Sequence, residues 1–124
     1  MSLLSPLISV VDDDSSILRA LRRLIQAAGY TVATFASAPE FLASPMVDGT
    51  ACLILDIYLQ GMSGFDLQER LAVHRPALPI IFITAHDDLT TRERIRQSGV
   101  ATHLRKPFDE RLLLDAIRTA LAPA

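Results

Sequence analysis

The sequence predicts a doubly wound α/β domain, a (βα)5 unit whose parallel five-stranded sheet lies between two layers of helices. Three observations predict it. Short apolar, β-branched runs bounded by turn residues recur along the chain. Stretches of helical periodicity separate them, and the runs are apolar on both faces, as strands covered on both sides must be. Strand and helix alternate five times in 124 residues, the pattern of a parallel sheet whose right-handed crossovers place helices on both faces.

The first strand is read at Leu7-Ile8-Ser9-Val10-Val11. A helix follows on the stripe Ile17, Leu21, Leu24 and Ala28, joined by Leu18 and Ile25. Asp14 or Ser15 caps it and Gly29 stops it. Thr31-Val32-Ala33-Thr34-Phe35 is the second strand, and residues 38–43 form a short helix. Ala51-Cys52-Leu53-Ile54-Leu55 is the third strand; Leu67 and Leu71 then mark a helix that ends before Pro76. Ile80-Ile81-Phe82-Ile83 is the fourth strand, followed by a helix over 88–98 whose apolar anchors are few, Leu89 and Ile95. A weaker fifth run, Ala101-Thr102-His103-Leu104, precedes a last helix marked by Leu112, Leu113, Ala116, Ile117 and Leu121, with Asp109 at its acidic start.

Composition bounds the function. A chain of this length buries a core without a disulfide or metal staple, and no internal repeat or linker divides it, so residues 1–124 are expected to form one domain. Half the residues are hydrophobic, 21% are charged and the formal net charge is -2. That balance argues against a chain that grips nucleic acid or an anionic membrane by itself. The one cysteine, Cys52, lies in an apolar run and reads as a buried thiol in a reducing compartment. No apolar stretch approaches the roughly 20 residues of a membrane span, and the N-terminus lacks a signal-peptide pattern. A cytoplasmic domain is expected.

In open α/β sheets the functional crevice lies at the carboxyl ends of the strands. Asp12, Asp13 and Asp14 follow the first strand, Asp56 the third, Thr84 the fourth, and Lys106-Pro107 the fifth. Singly, such residues are more often caps and turns; Asp14 is expected to be a cap. Jointly they make a coherent set. Clustered carboxylates repel, and a hard divalent cation such as Mg2+ (or Mn2+) holds them together. A lysine and a hydroxyl opposite suit the oxygens of a phosphoryl group, and an aspartate carboxylate is itself a competent nucleophile. His74, His86 and His103 have no zinc spacing.

Four motifs, Val10-Val11-Asp12-Asp13, Leu55-Asp56 leading to Met62-Ser63-Gly64, Phe82-Ile83-Thr84-Ala85-His86, and Arg105-Lys106-Pro107-Phe108, resemble the receiver domain of two-component response regulators over essentially the whole chain. The wording around Thr84 and Ser63-Gly64 resembles the FixJ-like branch, whose members usually carry a C-terminal helix-turn-helix. The resemblance implies a flavodoxin-like sheet of order 2-1-3-4-5. It implies that Asp56 is the phosphoacceptor, that Asp13, with Asp12 directly or through water, holds magnesium, and that the backbone carbonyl of Tyr58 is a further ligand. Thr84 and Lys106 would contact phosphoryl oxygens, with a cis Lys106-Pro107 peptide. A sensor histidine kinase would donate the phosphoryl group, and the surface of the fourth helix, fifth strand and fifth helix would switch an output, transcription, as a phosphorylation-dependent homodimer. DNA would be met only through an output domain absent from this chain. The chain would not be an enzyme beyond Mg-dependent self-phosphorylation and slow autodephosphorylation of Asp56.

Gln60 stands where the family commonly has proline, and His103 where it usually has a switching tyrosine or phenylalanine. Rival readings fit less well. A haloacid-dehalogenase-type enzyme needs a second aspartate two residues after the nucleophile, where this chain has Tyr58. A flavodoxin-type electron carrier needs a first loop that cradles phosphate, which Asp12, Asp13 and Asp14 would repel. A receiver-like interaction module that is never phosphorylated is the third, weakened by retention of every acidic and basic member. Tyr58 and His86, two residues beyond Asp56 and Thr84, are expected to flank the approach of water to the phosphorus.

Overall fold

A computed structural model describes residues 5–86, 88–100 and 102–122. Five strands and five helices alternate strictly: β1 (Leu7–Val11), α1 (Ser15–Ala27), β2 (Thr31–Phe35), α2 (Ala38–Ala43), β3 (Thr50–Asp56), α3 (Gly64–His74), β4 (Ile80–Thr84), α4 (Leu89–Ser98), β5 (Thr102–Arg105) and α5 (Glu110–Leu121). All strands run parallel in the order β2-β1-β3-β4-β5, as expected. Of the weak fifth run, Ala101 lies outside the described residues.

Helix ends follow from local chemistry. Asp14 caps α1, its carboxylate accepting from the N–H groups of Ser16 and Ile17, and Gly29 leaves the helix at φ 99°, where a side chain would be strained. Ser63 and Asp66 make a reciprocal capping box at the start of α3. Asp88 and Asp109 cap α4 and α5, and Gly99 closes α4 at φ 80°.

Two apolar layers clamp the sheet. Leu21 and Ile25 of α1 with Leu113 and Ile117 of α5 pack over Ile8, Val10, Ile54, Ile81 and Ile83. On the other face Phe41, Phe65, Leu67, Leu71 and Ile95 cover Val11, Leu53, Leu55 and Phe82. Cys52 is buried, and burial pushes its thiol up to about 12, so it stays protonated and unreactive at neutral pH. The structure corrects three expected apolar positions: Ala28 is exposed just past the end of α1, Leu112 is 54% exposed on α5, and Leu89 is 81% exposed. As the first residue of α4 it points away from the sheet, and Thr91 is buried in its stead. Among the described residues, no helix is long and apolar enough to cross a membrane.

Candidate functional site

The strand order sets β1, β3 and β4 side by side, so their carboxyl ends form one rim. Asp12 follows β1 directly. Its N–H donates to Phe35 O (3.1 Å), and its buried carboxylate accepts from the N–H of Asp14 (2.9 Å). Asp13 turns outward and is exposed. Asp56 is the last residue of β3, only 5% exposed, and accepts from the N–H of Tyr58 (3.3 Å). Thr84 ends β4, buried, and its hydroxyl accepts from the N–H of His86 (3.0 Å).

Lys106 closes the ring from the far side. Its N–H donates to Thr84 O (2.7 Å), which fixes the loop after β5, and the Lys106-Pro107 peptide is cis. Its ammonium lies 2.7 Å from Asp12 Oδ2 and 3.3 Å from Asp56 Oδ2. Residues 12, 56 and 106 therefore meet although they are 50 and 94 positions apart in the two ion pairs.

The electrostatics are unbalanced. Burial, and after it the Asp12 carboxylate, hold the Asp56 carboxyl above the usual carboxylate range, although Lys106 and the Tyr58 N–H pull it down. Burial alone would lower the Lys106 ammonium. The hydrogen bond to Asp12 and the charges of Asp56 and Asp12 outweigh it, so Lys106 holds its proton above its ordinary range. Two buried carboxylates, and Asp13 at their mouth, thus face one ammonium. Oxygens of Asp12, Asp13 and Asp56 all lie within 4.8 Å of one another, and that donor set of hard oxygens fits a small divalent cation.

The structure therefore brings Asp12, Asp13, Asp56, Thr84 and Lys106 to one rim. Tyr58 belongs to it as well, 43% exposed, with its backbone against Asp56. Its ring leans on that of His86, centroids 4.2 Å apart at 52°, and its hydroxyl is hydrogen-bonded to that of Thr91 on α4. His103 lies on β5 opposite Phe82 and is exposed.

Two participants had no role in the sequence reading. Thr91 gave no signal, since a threonine in a polar helix usually faces water. Gly64 was part of a motif without a stated reason. A Cβ there would stand 2.5 Å from Asp56 O and 2.8 Å from Ile57 Cα, and the Gly64 N–H donates to Ile57 O (2.8 Å). The start of α3 thus rests directly on the backbone that carries Asp56, and any side chain at residue 64 would displace Asp56.

Comparison with known proteins gives a consistent result. Residues 8–118 match the family model for the response regulator receiver domain. Nodulation protein W of Bradyrhizobium diazoefficiens is 44% identical over 114 residues, covering 92% of this chain and 50% of that protein. The transcriptional regulatory protein TdiR of Thauera aromatica is 36% identical over 113 residues, covering 91% and 50%. The BeF3-activated receiver domain of DrrB from Thermotoga maritima superposes with a TM-score of 0.86 at 26% identity, covering 95% and 98%. The chain spans about half the length of the curated relatives it matches first.

Proposed function

The chain belongs to the response regulator receiver domain family, and on that premise we propose that Asp56 takes a phosphoryl group from the phosphohistidine of a sensor histidine kinase. The observation that carries this reading is the meeting of Asp12, Asp56, Thr84 and Lys106 at one rim, with both carboxylates buried. An oxygen of Asp56 attacks phosphorus as the phosphorus–nitrogen bond breaks, the electron pair staying on the donor imidazole, which then takes a proton. Catalysis of such a transfer is mainly positioning and charge stabilisation. The Lys106 ammonium and the Thr84 hydroxyl donate to oxygens of the transferred group, and the Lys106 contact with Asp12 is exchanged for it.

Mg2+ (or Mn2+), held by Asp12, Asp13, Asp56 and the backbone carbonyl of Tyr58, would neutralise the carboxylates and orient phosphoryl oxygens. The kinase has a landing site beside the acceptor. A groove of about 810 Å3 runs between α1 and the loop after β5, lined by Ile17, Leu21, Leu24, Pro107 and Phe108, and suits the apolar face of a helix. Chemistry is limited to self-phosphorylation and slow autodephosphorylation of Asp56.

The output is transcription, in the cytoplasm, through a FixJ-like DNA-binding partner region outside residues 1–124, which work as one receiver unit. Relatives named as transcriptional regulators support that assignment. The α4-β5-α5 surface changes on phosphorylation and pairs two copies. Arg92, Arg94 and Arg96 of α4 would meet Asp109, Glu110 or Asp115 of the second copy, and Arg94, Arg96 and Asp115 would exchange their present partners, the Phe65 ring, Glu93 and Arg118, for these contacts. Such rim pairs set register more than affinity.

Incubation with acetyl phosphate and magnesium adds one phosphoryl mass to the protein and none to Asp56→Asn. Full labelling of that variant, or of the parent in chelator, overturns the reading. Sedimentation with beryllofluoride reveals a dimer that fades as salt rises; a monomer at high concentration removes the dimer.

A further inference from the structure

Tyr58 is held at three points. Its N–H donates to Asp56 Oδ1, its ring packs on His86, and its hydroxyl bonds to Thr91, 33 residues away on α4. His86 in turn donates its N–H to the Thr84 hydroxyl. The two rings link the segments that follow β3 and β4, and both residues are exposed beside the buried Asp56. Tyr58 is 43% exposed as a residue, so water is a ready partner for its phenol, and without a tether its ring would sample several rotamers. Thr91 supplies the tether from a position only 1% exposed, on a backbone whose N–H is fixed by Asp88 (2.8 Å).

We propose that Thr91 is a positioning residue for the lifetime of the phosphoryl group: by holding the Tyr58 phenol, it keeps the Tyr58–His86 ring pair across the route of water to phosphorus. The inference rests on the reading of Asp56 as acceptor. In hydrolysis a water oxygen bonds to phosphorus as the bond from phosphorus to the Asp56 oxygen breaks. The carboxylate leaves with the electron pair, one water proton stays on the inorganic phosphate and the other goes to solvent. The attacking water must arrive opposite the Asp56 oxygen. A ring pair fixed there lowers the rate; a loose one does not.

The cover of the site is thereby fastened to α4. Displacing α4 draws the phenol away, so a partner that holds α4 displaced shortens the life of the phosphoprotein. By linkage, a covered site favours the undisplaced helix.

Substitutions at Thr91 separate the hydroxyl from the packing. Protein labelled with acetyl phosphate and freed of donor is followed by the release of inorganic phosphate. Thr91→Val, which keeps the shape and loses the hydroxyl, decays about five-fold faster, the factor one neutral hydrogen bond supplies. Thr91→Ser, which keeps the hydroxyl and loses a methyl, decays at the parent rate. Tyr58→Phe matches Thr91→Val, and the double variant decays no faster than either, since both remove one link. A merely structural threonine gives the opposite order, with valine like the parent and serine faster, and that result overturns the assignment, as does additivity of the two substitutions. Failure of the parent to label is a different outcome: it removes the acceptor reading and this inference with it.

Discussion

Helices α1 and α4 pack on opposite faces of the same sheet and are held there by different means. α1 buries Leu21 and Ile25, flanked by Ile17, Leu18 and Leu24. α4 buries a single large apolar side chain, Ile95, together with Thr91. Its other attachments include polar and aromatic ones: the Thr91–Tyr58 hydrogen bond, the Arg94 guanidinium 4.2 Å above the Phe65 ring, and Gln68 reaching Ser98 O at 3.5 Å. Apolar burial is non-directional and lost only when the surface separates, whereas polar links are exchanged one for another at small net cost. The chain therefore fixes firmly the helix that lines the groove beside Lys106 and holds α4 by links that are more readily exchanged.

The largest test of that contrast is truncation of each helix's leading apolar residue. Ile25→Ala lowers unfolding free energy by about 2–5 kcal/mol, since it leaves a cavity, whereas Leu89→Ala changes it by less than about 0.5 kcal/mol, as for other exposed sites. Urea titration measures both. Similar losses would erase the distinction.

A smaller effect separates strain at the rim from weakness in the helix. Folding raises the Asp56 carboxyl above its unfolded range, so folding disfavours the ionised form. The resulting destabilisation is absent below the ordinary carboxylate range and develops as pH rises through the raised value. Asp56→Asn therefore stabilises the metal-free protein at pH 7 by on the order of 1 kcal/mol, and the gain vanishes as pH falls below the ordinary carboxylate range. Magnesium narrows the gap by stabilising the parent more than the variant. Thermal unfolding across pH, with and without the ion, measures this; a variant less stable than the parent at neutral pH would deny the strain.

The smallest effect is the most local. Arg94→Ala removes a cation–π contact of about 0.5–1 kcal/mol. Amide exchange rises in α4 while α1 keeps the protection of the global fold. Equal acceleration in both helices would mean that they open together.

The sequence reading follows the same division. Strand runs and the α1 stripe were legible because apolar periodicity reports burial directly, and the observed strand ends lie within one residue of the expected ones. The rim was legible because strand order converts distant positions into neighbours: Lys106 meets Asp12 and Asp56 only through the topology. α4 was poorly legible. Its stripe named Leu89 as an anchor, and a two-residue pattern cannot fix a helical face. The Tyr58–Thr91 link depends on where a loop sets one ring, which no periodicity encodes. Gly64 carried a motif whose reason, contact with the Asp56 carbonyl, is visible only in three dimensions.

The Tyr58 ring has a spectroscopic consequence. The chain has no tryptophan and two tyrosines, Tyr30 and Tyr58, so its ultraviolet emission comes from phenols alone. Replacing Tyr30 by phenylalanine leaves Tyr58 as the single emitter. Its anisotropy then registers, without any attached dye, whether the phenol is fastened to the helix or turning freely.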